Sequence, residues 1–466
     1  MTSQDTFNEA LSNMLSKQVP GFESLIDCLQ LTAGASQETY RIRYNSSSGE
    51  AKLALRRAQP GSENESSVGG ISLASEAELF RLAKRHNIPS PTVIYELRAE
   101  DELGIGFIMD WLEGETLGHR INRRPEFSEI RPNLACLCGE ILGRIHSIDW
   151  RAEKLDSFLE TSDTQALVEK TWNQYQELNI PLPMIDYTAR WLLENLPKNS
   201  RASLVHSDFR NGNLMISEKG VEAVLDWELA HIGDPIQDLG WLCVNSWRFG
   251  NRDLLVGGFG HLNELLKAYK DTTGINVTEE ELTFWQVYGS FWWSVTTLGM
   301  ALTWRTGEAP SLERPVIGRR SSEAQMDCVN LLIPGAFSLP ETPALDKGTQ
   351  LPMPAELLEG VIAFLKEDAA ANLPSHSSFL AKVAANSLGI AQRELLLGPQ
   401  LAEAEKSRLQ PLLNEDKDLD SLRQTLSDKL RADMPLSTPL LAEHLRQTVA
   451  GQLLIDQPNY SALKQK

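Results

Sequence analysis

The sequence predicts an α+β protein: a small β-rich lobe, a larger and mainly helical lobe, and a small all-α domain behind a linker. Three observations point there. Residues from about 25 to 112 contain alternating apolar stretches separated by turn residues, the pattern of half-buried antiparallel strands. From about 125 to 335 the periodicity is helical, apart from one strand–loop–strand region at 204–226. Pro and Gly then gather in "PGAFSLPETPALDKGTQLPMP", and helical patterning resumes to the end of the chain. These breaks divide the chain at 1–112, 113–334, 335–354 (the linker) and 355–466.

In order along the chain, "TYRIRY" (39–44) alternates, "NSSSG" (45–49) turns, and "KLALRRA" from Lys52 returns, which predicts a hairpin. "SEAELFRLAKRHN" from Ser75 predicts an amphipathic helix with Leu79, Leu82 and Ala83 on one face. Ser75 is expected to cap it, with Glu78 closing a capping box. "GFIMDWLEGETL" from Gly106 predicts a strand that breaks at Glu113 and Gly114. The segment 282–304, "LTFWQVYGSFWWSVTTLGMALTW", carries no charge and is long enough to span a bilayer. Gln286, Ser290, Ser294, Thr296 and Thr297 interrupt it, so the expectation is a fully buried helix. "AELLEGVIAFLKEDAA" and "FLAKVAANSLGIAQREL" predict strong helices beyond the linker.

The chain has 466 residues and a formal net charge of -19, from 63 acidic against 44 basic side chains. That balance argues against nucleic acid and against an anionic membrane surface as partners. The five Cys are scattered and odd in number, and the C-x-C pair Cys136 and Cys138 has no second pair for zinc. They read as ordinary thiols of a reducing cytoplasm. The N-terminus has no basic start followed by an apolar core, so no signal peptide is expected there.

The chemistry concentrates in "LVHSDFRNGNLMI" and the strand pattern after it. A polar loop carrying His206, Asp208, Arg210 and Asn213 lies between two apolar runs, and a further run, "VEAVL", ends in Asp226. Phosphoryl transfer calls for these residue types. Asp208 can take the proton of an acceptor hydroxyl. Asn213 offers a neutral oxygen and Asp226 a charged one to a Mg2+ ion on the nucleotide phosphates. Arg210, two positions after Asp208, can offset charge on the moving phosphoryl group. His206 reads as packing in the loop. His146 reads as a satisfied helix-end residue, and Trp292 and Trp293 as core.

"HSDFRNGN", "VLDWELA" and "GDPIQDLGWL" resemble the core motifs of the aminoglycoside phosphotransferase and choline kinase-like superfamily, relatives of protein kinases. The resemblance covers about 21–334. It is nearest to the kinase-like domains associated with acyl-CoA dehydrogenases, which "LALRRA", "GFIMDWLEG", "LGRIHSID" and "WRFG" resemble. It implies a bilobal protein-kinase-like fold, with 1–112 holding an N-terminal helix and the nucleotide-binding lobe and 113–334 the catalytic lobe. It implies ATP and Mg2+ as cofactors, Asp208 as base, Asn213 and Asp226 as metal ligands, and Asp238 as a brace for the catalytic loop. Arg56 stands where the superfamily's phosphate-pairing Lys stands in V-A-I-K, with Glu76 as its helix partner. The phosphate loop would be "AGASQET", including Ser36, and the Asp110 carbonyl and Leu112 amide would meet the adenine edge. The segment 355–466 resembles an uncharacterised helical domain often encoded beside such genes.

Together these features read as a cytoplasmic Mg-dependent kinase that moves the ATP γ-phosphate to a hydroxyl. The branch resemblance favours a hydroxyacyl-CoA acceptor and an acyl-CoA dehydrogenase of the same pathway as partner. Trp247 and Arg248, in "WRFGNRDLLVGGFG", are the expected contacts to a CoA thioester, whose phosphates need cations. The alternatives are an aminoglycoside or amino-alcohol phosphotransferase, which an acidic surface would suit, and a non-catalytic kinase-like binding module.

Overall fold

The computed structural model describes residues 3–31, 37–58, 70–199, 201–308, 310–343 and 351–464. In chain order the elements begin α1 (Ser3–Gln18), β1 (Phe22–Leu31), β2 (Gln37–Ser46), β3 (Gly49–Ala58), α2 (Leu73–Arg85), β4 (Val93–Glu96), β5 (Gly106–Asp110), α3 (Gly118–Arg123) and α4 (Leu134–His146). Next come α5 (Thr164–Glu177), α6 (Pro183–Glu194), β6 (Ser203–Val205), β7 (Leu214–Ser217), β8 (Gly220–Val224), β9 (His231–Gly233), α7 (Ile236–Leu242), α8 (Leu262–Thr273) and α9 (Glu279–Arg305). The chain ends with α10 (Glu313–Arg319), α11 (Ser321–Leu332), α12 (Pro354–Phe364), α13 (Ala370–Asn372), α14 (Ser375–Leu413), α15 (Leu419–Ala432) and α16 (Leu441–Asp456). They form two compact units. The first takes Met1–Ser162, Ser200–Cys243 and Trp247–Thr278, and the second Asp163–Asn199, Val244–Ser246 and Glu279–Lys466.

The first unit opens with an antiparallel sheet in the order β1-β2-β3-β5-β4. The predicted hairpin is β2–β3, paired from Gln37 with Ala58 to Ser46 with Gly49. Tyr40, Ile42 and Tyr44 alternate onto one face of it, where Leu11, Met14 and Leu15 of α1 cover them. On α2, Phe80 meets Phe107 of β5 with ring centroids 5.9 Å apart. The cap of α2 differs from expectation. Ser72 is the N-cap, its side chain accepting from the Ser75 amide at 3.1 Å, so the helix starts at Leu73. β5 also stops earlier than expected, at Asp110, before the polar run beyond it.

The rest of the first unit is helical around two short ribbons, β6 with β9 and β7 with β8. α4 packs on α8 through Gly139 and Gly143. A Cβ at Gly139 would lie 2.4 Å from the Leu265 carbonyl, and one at Gly143 2.6 Å from Thr272. This close approach sets His146, the last residue of α4, against the first helical turn of α7.

In the second unit Leu422, Leu426 and Leu430 of α15 and Leu441, Leu445, Val449 and Leu453 of α16 form one core with Met184 and Tyr187 of α6 and Met326 and Val329 of α11. Their spacing of three and four is the helical signature. Asp186 of α6, fully buried, accepts from Trp172 and Arg431, each at 2.8 Å. α9 is buried only in part. From Leu282 to Thr297 most side chains are buried, but Leu302 and Trp304 are exposed, because the apolar run outlasts the helix's covered stretch. Among the described residues no helix is long and apolar enough to cross a membrane.

Candidate active site

The loop between β6 and β7 is held from beneath by α7. Asp238 accepts from the amides of His206 (2.8 Å) and Ser207 (2.7 Å) and from Nε2 of His146 (3.1 Å). Gln237 Nε2 donates to Ser207 Oγ at 2.9 Å. Burial works against the charge on Asp238, but His146, the neighbouring imidazole of His206 and the amides hold its carboxyl below the usual value. The bracing implied for Asp238 thus has a definite geometry. Tyr269 meets the other nitrogen of His146 at 3.0 Å, so that histidine is fully engaged.

His206 is fully buried. Its Nδ1 accepts from the Asp208 amide (3.2 Å), which leaves Nε2–H to donate to the Leu225 carbonyl (3.1 Å). Its ring packs 4.5 Å from that of Trp227. Burial depresses the imidazole pKa, so a neutral ring ties the loop to the residue before Asp226.

Asp208 receives three side-chain donors. Arg210 Nε (2.7 Å) and Trp241 Nε1 (2.9 Å) reach Oδ1, and Asn213 Nδ2 (2.5 Å) reaches Oδ2. Arg210 also lies over the Trp247 ring, with Cζ 4.4 Å from the centroid. Trp241 and Trp247 meet edge-on at 5.1 Å. Asn213 Nδ2 donates a second time, to the Asp208 carbonyl at 3.0 Å, which leaves Oδ1 without a hydrogen bond among the described residues.

Arg56 of β3 spans two carboxylates. Its Nε donates to Glu76 Oε2 at 2.9 Å and its Nη2 to Asp226 Oδ1 at 2.6 Å. Glu76 is 1% exposed, and its Oε1 is buried without a hydrogen bond. Burial pushes the Glu76 carboxyl up to about 7, against the attraction of Arg56 and with the help of Asp226 and Glu228. The same two partners keep Arg56 protonated despite its burial. Asp226 sits in the left-handed region, φ 63°, a strained setting for a non-glycine residue.

The other expected site residues are more dispersed. Asp110 ends β5 opposite Leu53, and the Leu112 amide beyond it makes no backbone hydrogen bond among the described residues. Ser36, with the loop from Ala33, lies outside the described residues. Trp247 stands at the loop between β6 and β7: its carbonyl, like that of Gly257, accepts from Asn211, at 3.3 and 2.6 Å. Arg248 turns away, with Nε and Nη2 both on the Cys243 carbonyl (3.1 and 2.5 Å) at the end of α7. Trp241 and Asn211 were not expected here. Trp241 lies three residues after Asp238 on α7, so the helical period that brings Asp238 to the loop brings Trp241 as well.

A family model described as "Phosphotransferase enzyme family" matches residues 27–273. The chain belongs to the phosphotransferase enzyme family. A second model, "Domain of unknown function (DUF6285)", matches 371–460. Mouse (Mus musculus) acyl-CoA dehydrogenase family member 10 is 27% identical over 306 residues, 62% of this chain and 27% of that protein. Mouse acyl-CoA dehydrogenase family member 11 is 29% identical over 250 residues, 50% of this chain and 30% of that protein. The chain therefore spans about a third or less of these two relatives. A solved structure from Ralstonia eutropha, provisionally named an aminoglycoside phosphotransferase, shares the fold. It has a TM-score of 0.55 at 22% identity, over 69% of this chain and 96% of that one.

The donor set of this phosphotransferase suits a cation carried in on phosphates. Among the described residues no cluster of three or more His, Cys, Asp or Glu could hold a metal by itself. Asn213 presents Oδ1, and Asp226 keeps Oδ2 clear of hydrogen bonds among the described residues. One or two protein oxygens completed by phosphate and water are what Mg2+ commonly takes.

Proposed function

We propose that this phosphotransferase moves the γ-phosphoryl group of ATP to the hydroxyl of a hydroxyacyl-CoA. The observation that carries the reaction type is the setting of Asp208. Two N–H donors occupy Oδ1, one occupies Oδ2, and the free oxygens of Asn213 and Asp226 belong to the same pair of linked loops. Oδ2 is therefore the oxygen with a lone pair to spare. The acceptor hydroxyl gives its proton to Asp208 Oδ2 as its oxygen bonds to the γ-phosphorus. The bond from that phosphorus to the bridging oxygen breaks, and its electron pair leaves on ADP. Asn213 and Asp226 would hold Mg2+, which neutralises phosphate charge when bound. Arg56 pairs with Glu76 and is placed to meet phosphate once Asp226 turns to the ion. Arg210, over the Trp247 ring, fixes the carboxylate and would offset charge on the moving group.

The acceptor class rests on the relatives. Two proteins named acyl-CoA dehydrogenase family members carry a segment like this one, and a hydroxyl turned into a phosphate ester becomes a leaving group for later chemistry on the acyl chain. The test is an ATP-consumption assay on a panel of acceptors. Turnover with hydroxyacyl-CoA thioesters and not with free hydroxy acids is the expected result. Turnover confined to kanamycin-like amines would instead make the protein an aminoglycoside-type enzyme. ATP binding without turnover on any acceptor would make it a binding module.

A further inference from the structure

With Arg248 committed to the end of α7, the cations on an element tied to the 247–258 loop are those of α3. This short helix is fastened to β7 and to the 247–258 loop by several ties. Glu115, just before it, exchanges backbone hydrogen bonds with Ile216 of β7 at 2.8 and 2.9 Å. Asn122 Nδ2 donates to the carbonyls of Arg248 (3.4 Å) and Gly257 (3.0 Å), and Arg123 Nη2 to that of Phe249 (3.2 Å). The Phe249 ring lies so close to Gly118 that a Cβ there would stand 2.0 Å from it. The same 247–258 loop is tied to Asn211, whose neighbour Arg210 holds Asp208.

The sequence of this helix is "GHRINR", with Arg124 directly after it, so His119, Arg120, Arg123 and Arg124 fall together with no acid among them. Glu115 is shared by Arg120 (3.1 Å) and Arg124 (3.8 Å), and Glu126 takes Arg124 at 3.0 Å. Arg123 is exposed and meets only a carbonyl, with no carboxylate among the described residues. The group stands on a chain of net charge -19. A phosphorylated acceptor, disfavoured by the net negative charge, would be drawn to a local cationic group. Guanidinium groups are also the side chains that match phosphate oxygens in paired hydrogen bonds.

We propose that Arg123, with Arg124 and Arg120 beside it, is the binding site for the phosphates at the nucleotide end of the CoA acceptor. This rests on the hydroxyacyl-CoA reading and adds to it where the acceptor's anionic end docks. ATP is expected at Arg56 on β3, which pairs with Glu76, and that leaves the α3 arginines for the second anion. Binding energy from this remote end would be spent on holding the acyl hydroxyl at Asp208, which is how distant substrate contacts raise turnover.

The test compares two acceptors, a hydroxyacyl-CoA and the corresponding hydroxyacyl-pantetheine thioester, which lacks the CoA phosphates. Arg123→Ala with Arg124→Ala should lower kcat/KM for the CoA thioester about tenfold or more. The same change should leave the pantetheine thioester and the nucleotide KM unaffected, so that the wild-type preference for CoA disappears. Both side chains are exposed, and an unchanged thermal midpoint would show the fold is kept. Equal losses on both acceptors, or no loss on CoA, would overturn the proposal. Should the wild type turn over neither thioester, the hydroxyacyl-CoA reading has failed by itself. Calorimetry with CoA alone then decides. Binding by the wild type that the double variant loses sustains the site, and no difference between the two proteins removes it.

Discussion

The indole N–H of Trp241 donates to Oδ1 of Asp208 at 2.9 Å, on the same oxygen that Arg210 Nε reaches at 2.7 Å. The contact joins α7 to the Asp208 side chain, whereas Asp238, one turn earlier, joins α7 to the loop's backbone. A carboxylate with one oxygen doubly held cannot rotate to offer either oxygen to the acceptor, so its orientation is set before substrate arrives. Trp241→Phe keeps the ring and removes the donor. Expected is a kcat reduced about tenfold with the nucleotide KM unchanged. A kcat equal to wild type would reduce Trp241 to core packing.

Asp208→Asn should abolish turnover while leaving Mg–ATP binding nearly as it was. The proposed task of this carboxylate is to take the acceptor's proton, and the nucleotide is expected at other groups. Nucleotide titration and then single-turnover kinetics measure both quantities on one protein. Turnover near the wild-type rate would remove Asp208 from the role of base.

Asp226→Ala should weaken Mg-dependent ATP binding tenfold or more and leave metal-free nucleotide binding little changed, because it deletes the charged oxygen of the pair. The fold should survive, since Arg56 retains Glu76 as a buried partner. Calorimetry with and without Mg2+ separates the two bindings. Equal Mg–ATP affinity in both proteins counts decisively against the assignment.

Much of the fold and the centre of the site were legible in the sequence because their signals are local. The β2–β3 hairpin shows in period-two alternation about a turn. Asp208 and Asn213 show as polar residues stranded between two apolar runs. The features that escaped depend on partners far along the chain. Arg56 could be matched to Glu76, twenty positions on, but its second carboxylate is Asp226, 170 positions away. Arg248 looked like a free cation because nothing nearby in sequence shows that it folds back on the Cys243 carbonyl. Nothing in the sequence around Trp241 marks it as a partner of Asp208, and only the packing of α7 under the loop turns its N–H into a donor for that carboxylate. β9 is three residues long, too short for periodicity to announce it.

The last prediction concerns acid stability of the second unit. His444 of α16 is buried, with Nδ1 lacking a hydrogen bond. Burial first, and then the charges of Arg408 and Arg423, hold its pKa down to about 3, against 6.5 for the free side chain. The folded value is depressed, so the unfolded chain takes up a proton that the folded chain refuses. The contribution of this group to stability is complete above about pH 6.5. It falls by about 1.4 kcal/mol for each pH unit below that, until the folded ring itself protonates near pH 3. His444→Leu replaces the ring with an apolar side chain and removes the orphaned nitrogen from the core. The variant should lose less stability than wild type between pH 6.5 and pH 4. Denaturant unfolding at a series of pH values, monitored by circular dichroism, gives the two slopes. Parallel slopes over that window would mean that His444 protonates in the folded state as readily as in the unfolded one.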